Sequence, residues 1–215
     1  MMHMNIESIL TSYKAKKDEI KKKLEEFKEN GKKSDEKIFA ELCFCICTPQ
    51  SRAKIVDRAI RSLEESGILF KGNLNEIRVH LHGVRFPNNK ARYIYEAREF
   101  FSVNGKIRIK ERLNDFENPF EIRNWLVGYI RGIGLKEASH FLRNIGLGEN
   151  LAILDVHVVR SLKMLNIIEE IPKNLKRTDY LRIEDKLRNF SKEINIPMEE
   201  LDLLLWSEAT GEIFK

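Results

Sequence analysis

Two apolar-striped segments separated only by Gly132-Ile133-Gly134 set the tightest limit on how this chain can fold. Before the glycines, Ile122, Trp125, Leu126 and Tyr129 recur at helical spacing; after them, Ala138, Phe141, Leu142 and Ile145 do the same. Two glycines at this spacing let the chain turn between two helices and leave backbone N–H groups uncovered at the start of the second. Such a nest suits an anion. With 38 Lys+Arg against 33 Asp+Glu, a formal charge of +5, the natural anion is a nucleic-acid phosphate, although ordinary solvated surfaces carry the same excess. The glycines serve a plain αα-turn equally well, and their pattern does not choose between the two readings.

Two residues sharpen the stretch. Lys136 falls in the first turn of the second helix, where the positive end of the dipole favours a neutral amine. In surroundings dry enough to lower its pKa it becomes a candidate nucleophile. Asp155 ends the apolar run Leu151-Ala152-Ile153-Leu154 and opens a helix carrying Val158, Val159 and Leu162. As its N-cap it would accept free N–H groups and stay ionised. The plain alternative is a surface lysine and a capping aspartate.

Around this stretch the pattern is helical throughout. Residues 5–29 form a charged amphipathic helix, and Ser34 is placed to cap a second helix reaching Cys47. Thr48-Pro49-Gln50-Ser51 breaks that helix, with Ser51 as the expected cap of the next. Asn73-Leu74-Asn75-Glu76 fits a capping box, and Pro87 suits the first turn of the helix after His82–Phe86. That loop gathers Phe86 with the cations Arg85 and Lys90, a mixture suited to stacking and phosphate contact or to local packing. Residues 102–118 hold a Val-Asn-Gly turn and a basic helix; two apolar helices follow Thr178 and Met198. No strand-rich segment, repeat, Walker loop or zinc pattern interrupts this, so the fold class is all-α. The three cysteines, Cys43, Cys45 and Cys47, sit on alternate residues of an apolar helix, which suits buried free thiols and not a metal site. No run is long enough to cross a membrane or act as a secretory signal, so an intracellular protein of the cytoplasm and nucleoid is expected.

The run Ile130–Ala138 followed by Leu154-Asp155-Val156-His157 resembles the helix-hairpin-helix, Gly/Pro-rich and Asp signature of base-excision DNA glycosylases. Lys136-Glu-Ala-Ser-His-Phe-Leu-Arg-Asn-Ile145 and Leu201-Asp-Leu-Leu-Leu-Trp206, with a lysine at the chain end, resemble more narrowly the archaeal-type 8-oxoguanine DNA glycosylase/AP lyases. The resemblance implies a monomer acting on double-stranded DNA that holds 8-oxoguanine or an abasic site. It implies Lys136 as the Schiff-base nucleophile, Asp155 as the essential carboxylate, and Gly132 and Gly134 as the DNA-binding hairpin. Gln50 would enter the duplex, although close relatives more often carry asparagine near that point; Arg85 would touch DNA from a second wedging loop. Phe86, Trp206 and the terminal carboxylate of Lys215 would read the base, Trp206 alternatively filling the core. A sodium or potassium ion would sit against the carbonyls of Gly128, Ile130 and Ile133. No other cofactor is implied, and the iron–sulfur cluster of wider relatives is excluded because its four C-terminal cysteines are missing. His157 is expected to pack or touch the backbone, not to bind zinc. Two modules would flank the active cleft: residues 31–154 as a six-helix barrel-like module ending in the hairpin, and residues 1–30 packed with 155–215. A glycosylase/lyase for another damaged or mispaired base would share the Lys136–Asp155 pair, and a non-catalytic duplex-binding module would use the hairpin alone.

Overall fold

The computed structural model describes residues 5–214. Helix α1 (Ile6–Lys32) is followed by α2 (Asp35–Cys47), α3 (Ala53–Glu65), α4 (Ile68–Lys71), α5 (Leu74–His80) and α6 (Pro87–Phe101). A two-residue antiparallel ribbon, β1 (Ser102–Val103) with β2 (Lys106–Ile107), pairs Ser102 with Ile107. Then come α7 (Ile109–Leu113), α8 (Pro119–Tyr129), α9 (Leu135–Asn144), α10 (Val156–Met164), α11 (Arg177–Glu193) and α12 (Met198–Thr210). The ribbon turns on Asn104 and Gly105, both at positive φ, which suits the right-handed twist of a two-residue hairpin.

Local chemistry explains most boundaries. Asn73 and Glu76 exchange the reciprocal bonds of a capping box at α5, and Asn118 caps α8 ahead of Pro119 at its first position. Helix α1 runs three residues further than its apolar pattern, through Gly31. There a Cβ would stand 2.2 Å from the Ile145 carbonyl oxygen, so glycine is what lets α1 cross the end of α9.

The buried side chains form two clusters. One gathers α2, α3, α5 and α6 with the inner faces of α8 and α9, from Ile38 to Leu151. The other joins Ile9, Ile20 and Phe27 of α1 to Leu135 and to the helices after Ala152. Buried ion pairs stitch the two together. Arg123 of α8, 1% exposed, makes a two-pronged pair with Glu184 of α11 at 2.6 and 2.9 Å, and Glu184 also accepts the Ala152 N–H. Arg143 of α9 pairs with Asp202 of α12 at 2.8 Å, and Asp202 accepts the Ile153 N–H. Both carboxylates therefore bind the extended segment that runs from α9 to α10 and delivers Asp155.

Candidate active site

The hairpin is shaped by one position. Gly132 has φ +86°, and a Cβ there would lie 2.4 Å from the ring of Tyr93, so the turn excludes any side chain on two counts. Gly134 is the N-cap of α9 and has no side chain to satisfy the first turn; Glu137, three residues on, turns back so that its Oε2 accepts the Gly134 N–H at 3.1 Å. The other carboxylate oxygen lies 3.0 Å from Lys136 Nζ. Lys136 is therefore paired with a carboxylate and its side chain is 26% exposed.

Asp155 caps α10: its Oδ1 accepts the N–H groups of His157 and Val158, each at 2.8 Å. Lys136 and Asp155, 19 residues apart in the chain, line one cleft of ≈ 620 Å³ together with Gln50, His140, His157, Asp202, Trp206 and Phe214. Burial pushes the Asp202 carboxyl up to about 6, against the pull of Arg143, and Asp155 nearby adds to the rise. Trp206 is half-buried and lines the cleft. Gly132 and Gly134 stand outside the lining residues, on the hairpin that presents Lys136. Lys215 lies outside the described residues.

Gln50 and Phe86 share a strained conformation. Each is a non-glycine residue at φ +57°, and each is exposed at a loop tip. Left-handed backbone at such residues is costly and concentrates at ligand-gripping sites. Gln50 reaches the cleft, whereas Phe86 does not line it; Arg85 stacks on the Phe86 ring at 5.4 Å.

The two loops are tied together by a group that sequence reasoning misplaced. Lys90, read from the sequence as one of two loop cations suited to phosphate contact or to local packing, is 4% exposed and points inward. Its ammonium donates to the Cys47 and Pro49 carbonyls at 2.6 and 2.8 Å and to Ser51 Oγ at 3.0 Å. Burial lowers its pKa, and the charge of Lys136 acts in the same sense. Ser51 correspondingly does not cap α3; Arg52 is the N-cap, and the Ser51 hydroxyl accepts the Arg85 N–H at 3.0 Å. Cys43, Cys45 and Cys47 are buried free thiols, and burial raises Cys47 to about 12. Among the described residues no cluster of His, Cys, Asp or Glu is arranged to hold a metal, and no helix is long and apolar enough to cross a membrane.

A family described as 8-oxoguanine DNA glycosylase matches this sequence over residues 20–196. The chain belongs to the 8-oxoguanine DNA glycosylase family. It is 45% identical over 206 residues to the 8-oxoguanine DNA glycosylase/AP lyase of Fusobacterium nucleatum, covering 94% of each chain. Among solved members of the family, the Methanocaldococcus jannaschii 8-oxoguanine glycosylase/lyase in complex with 15mer DNA containing 8-oxoguanine superposes with a TM-score of 0.89. It is 39% identical in sequence, with 98% of this chain and 99% of that one covered. The 8-oxoguanine DNA glycosylase of Thermotoga maritima gives 0.85 at 33% identity, with 98% of each chain covered. These all-α glycosylase structures share the fold described above.

Proposed function

We infer that this chain is a bifunctional 8-oxoguanine DNA glycosylase/AP lyase acting on duplex DNA. The observation that carries the reading is the convergence of Lys136 and Asp155 on one cleft, in a chain of this family, with the amine at the first turn of the hairpin's second helix. To reach C1′ of a nucleotide in a duplex, the enzyme must turn the nucleotide out of the stack. The Lys136 amine, having lost its proton, attacks C1′; the C1′–N9 bond breaks, the base leaves, and the opened sugar remains as an iminium on Nζ. The iminium acidifies the C2′ proton, and β-elimination then expels the 3′ phosphate. Asp155, whose Oδ1 is held on two N–H groups, stabilises cationic character at the sugar and assists proton transfer.

In the same reading the uncovered side of the hairpin takes a backbone phosphate, and Gln50, Arg85 and Phe86 approach the duplex from their paired loops. Trp206 and the carboxylate of Lys215 read the base. The carbonyls of Gly128, Ile130 and Ile133 suit a monovalent ion: they are backbone oxygens only, and Gly128 lies in the last turn of α8, where carbonyls run out of helical partners. Such an ion would bridge the hairpin to a phosphate. The protein acts as a monomer within the cytoplasm and nucleoid.

Incubation with an 8-oxoguanine duplex and borohydride tests the reading. A covalent protein–DNA complex on the lesion duplex, with none on the matched guanine duplex, is the expected result. Trapping only on a duplex carrying another damaged base would transfer the activity to that lesion, and no trapping on lesion or abasic DNA would leave a binding module.

Arg85 provides a separate check on the docking face. Its exposed guanidinium beside an exposed ring suits phosphate contact. Arg85→Gln should weaken binding to damaged and undamaged duplex alike and lower the slope of log affinity against log salt by about 1. An unchanged slope in a salt titration would move Arg85 off the phosphates.

A further inference from the structure

Glu137 touches both the Gly134 N–H of the hairpin and the amine of Lys136. Its two oxygens are divided between them, at 3.1 Å to Gly134 N and 3.0 Å to Lys136 Nζ, and its side chain is 13% exposed. The carboxylate thus occupies one of the N–H groups the hairpin offers to an anion, while holding the neighbouring Lys136 Nζ against it. We propose that Glu137 is a positioning residue that parks Lys136 on the hairpin in the free enzyme, and that a DNA phosphate docking at the hairpin displaces the carboxylate and frees the amine. The displacement follows from charge: phosphate and carboxylate repel, and both seek the same Gly134 N–H. Once Oε2 loses that N–H, the bond that orients Oε1 toward Nζ is gone. The proposal rests on the glycosylase/lyase reading, since it assigns a job to the amine that reading makes the nucleophile.

A capping box alone would also place Glu137 at Gly134, so the test must separate charge from capping. Glu137→Gln keeps a side-chain oxygen to accept the Gly134 N–H and removes the negative charge. Lys90 of α6 acts on Lys136, and the other charged or titratable groups around it line the same cleft: Arg52 ahead of α3, His140 and Arg143 of α9, Asp155 and His157 at the start of α10, and Asp202 of α12. All are retained in the variant, so the difference between variant and parent reads Glu137 alone.

The measurement is brief labelling of the free full-length protein with an amine-reactive ester across pH, followed by peptide mass spectrometry of Lys136. Single-turnover cleavage of an abasic duplex is followed in parallel. In Glu137→Gln the pH of half-maximal Lys136 labelling should fall relative to the parent, because loss of an opposite charge 3.0 Å away releases the proton more easily. The acid limb of cleavage should fall by less, since on DNA the carboxylate has already been displaced. An unmoved labelling midpoint would reduce Glu137 to a helix cap and overturn the proposal. So would equal shifts in labelling and cleavage, because the carboxylate would then stay on the amine throughout. If the glutamine variant does not fold, Glu137→Asp against Glu137→Ser gives the same comparison, with the labelling midpoint expected to fall only in the serine protein. Inactivity of the parent on lesion and abasic DNA would sink the glycosylase reading instead, and the labelling comparison reports on Glu137 without any DNA present.

Discussion

Lys136→Gln is expected to bind lesion duplex with near-parental affinity while losing base release and strand cleavage together, each by on the order of 10⁴-fold or more. The loss is joint because in the proposed mechanism one nitrogen serves both steps: it displaces the base, and its iminium then makes the C2′ proton acidic. Binding persists because the hairpin backbone, the Gln50 loop and the Arg85 loop are built by residues other than Lys136. The glutamine also keeps much of the lysine's length beside Glu137, so α9 should begin as before. Borohydride should trap nothing. Cleavage of abasic DNA by the purified variant at anything near the parental rate would show that a different amine forms the adduct.

The second large effect concerns Asp155, where two roles overlap in one carboxylate. As an N-cap it satisfies two N–H groups of α10, and asparagine does this about as well, so Asp155→Asn should melt within about 0.5 kcal/mol of the parent. As the charge proposed to face the sugar it has no substitute. Single-turnover excision by Asp155→Asn should therefore fall roughly 10²–10³-fold, with duplex binding intact. Asp155→Ala adds the loss of the cap, about 1 kcal/mol of stability. Near-normal excision by the asparagine protein would leave Asp155 as a cap and nothing more.

Helical periodicity made the all-α class readable, and the glycine pair with flanking apolar stripes located the hairpin. Lys136 and Asp155 stood out because their helix-terminal positions carry chemical meaning before any packing is known. The surroundings of the amine did not, since Glu137 reads as a surface charge until the chain turns back on Gly134. Three glutamyl bonds of reach were needed, and only a capping-box reading starting from glycine would have found them. Lys90 failed for a related reason. A lysine in a polar loop-to-helix junction is nearly always solvated, and nothing local announces that three acceptors converge on it from residues 47–51. Ser51 was misassigned with it, because its hydroxyl was already committed across the fold to Lys90 and Arg85. Asp202 was hidden within an apolar run, Leu201–Leu205, and its partners Arg143 and Ile153 lie 59 and 49 residues away in sequence.

The clasp on Lys90 has a consequence for how DNA is searched. Gln50 and the Arg85–Phe86 tip hang from a single buried ammonium through Ser51, so neither tip can shift far without dragging the other. On the proposed docking a duplex is probed at two points by what is mechanically one jaw, and the energetic penalties of blunting the tips should fall short of their sum. Interrogating a base pair then becomes a single rigid bite, whose success depends on whether the helix yields at both contacts at once.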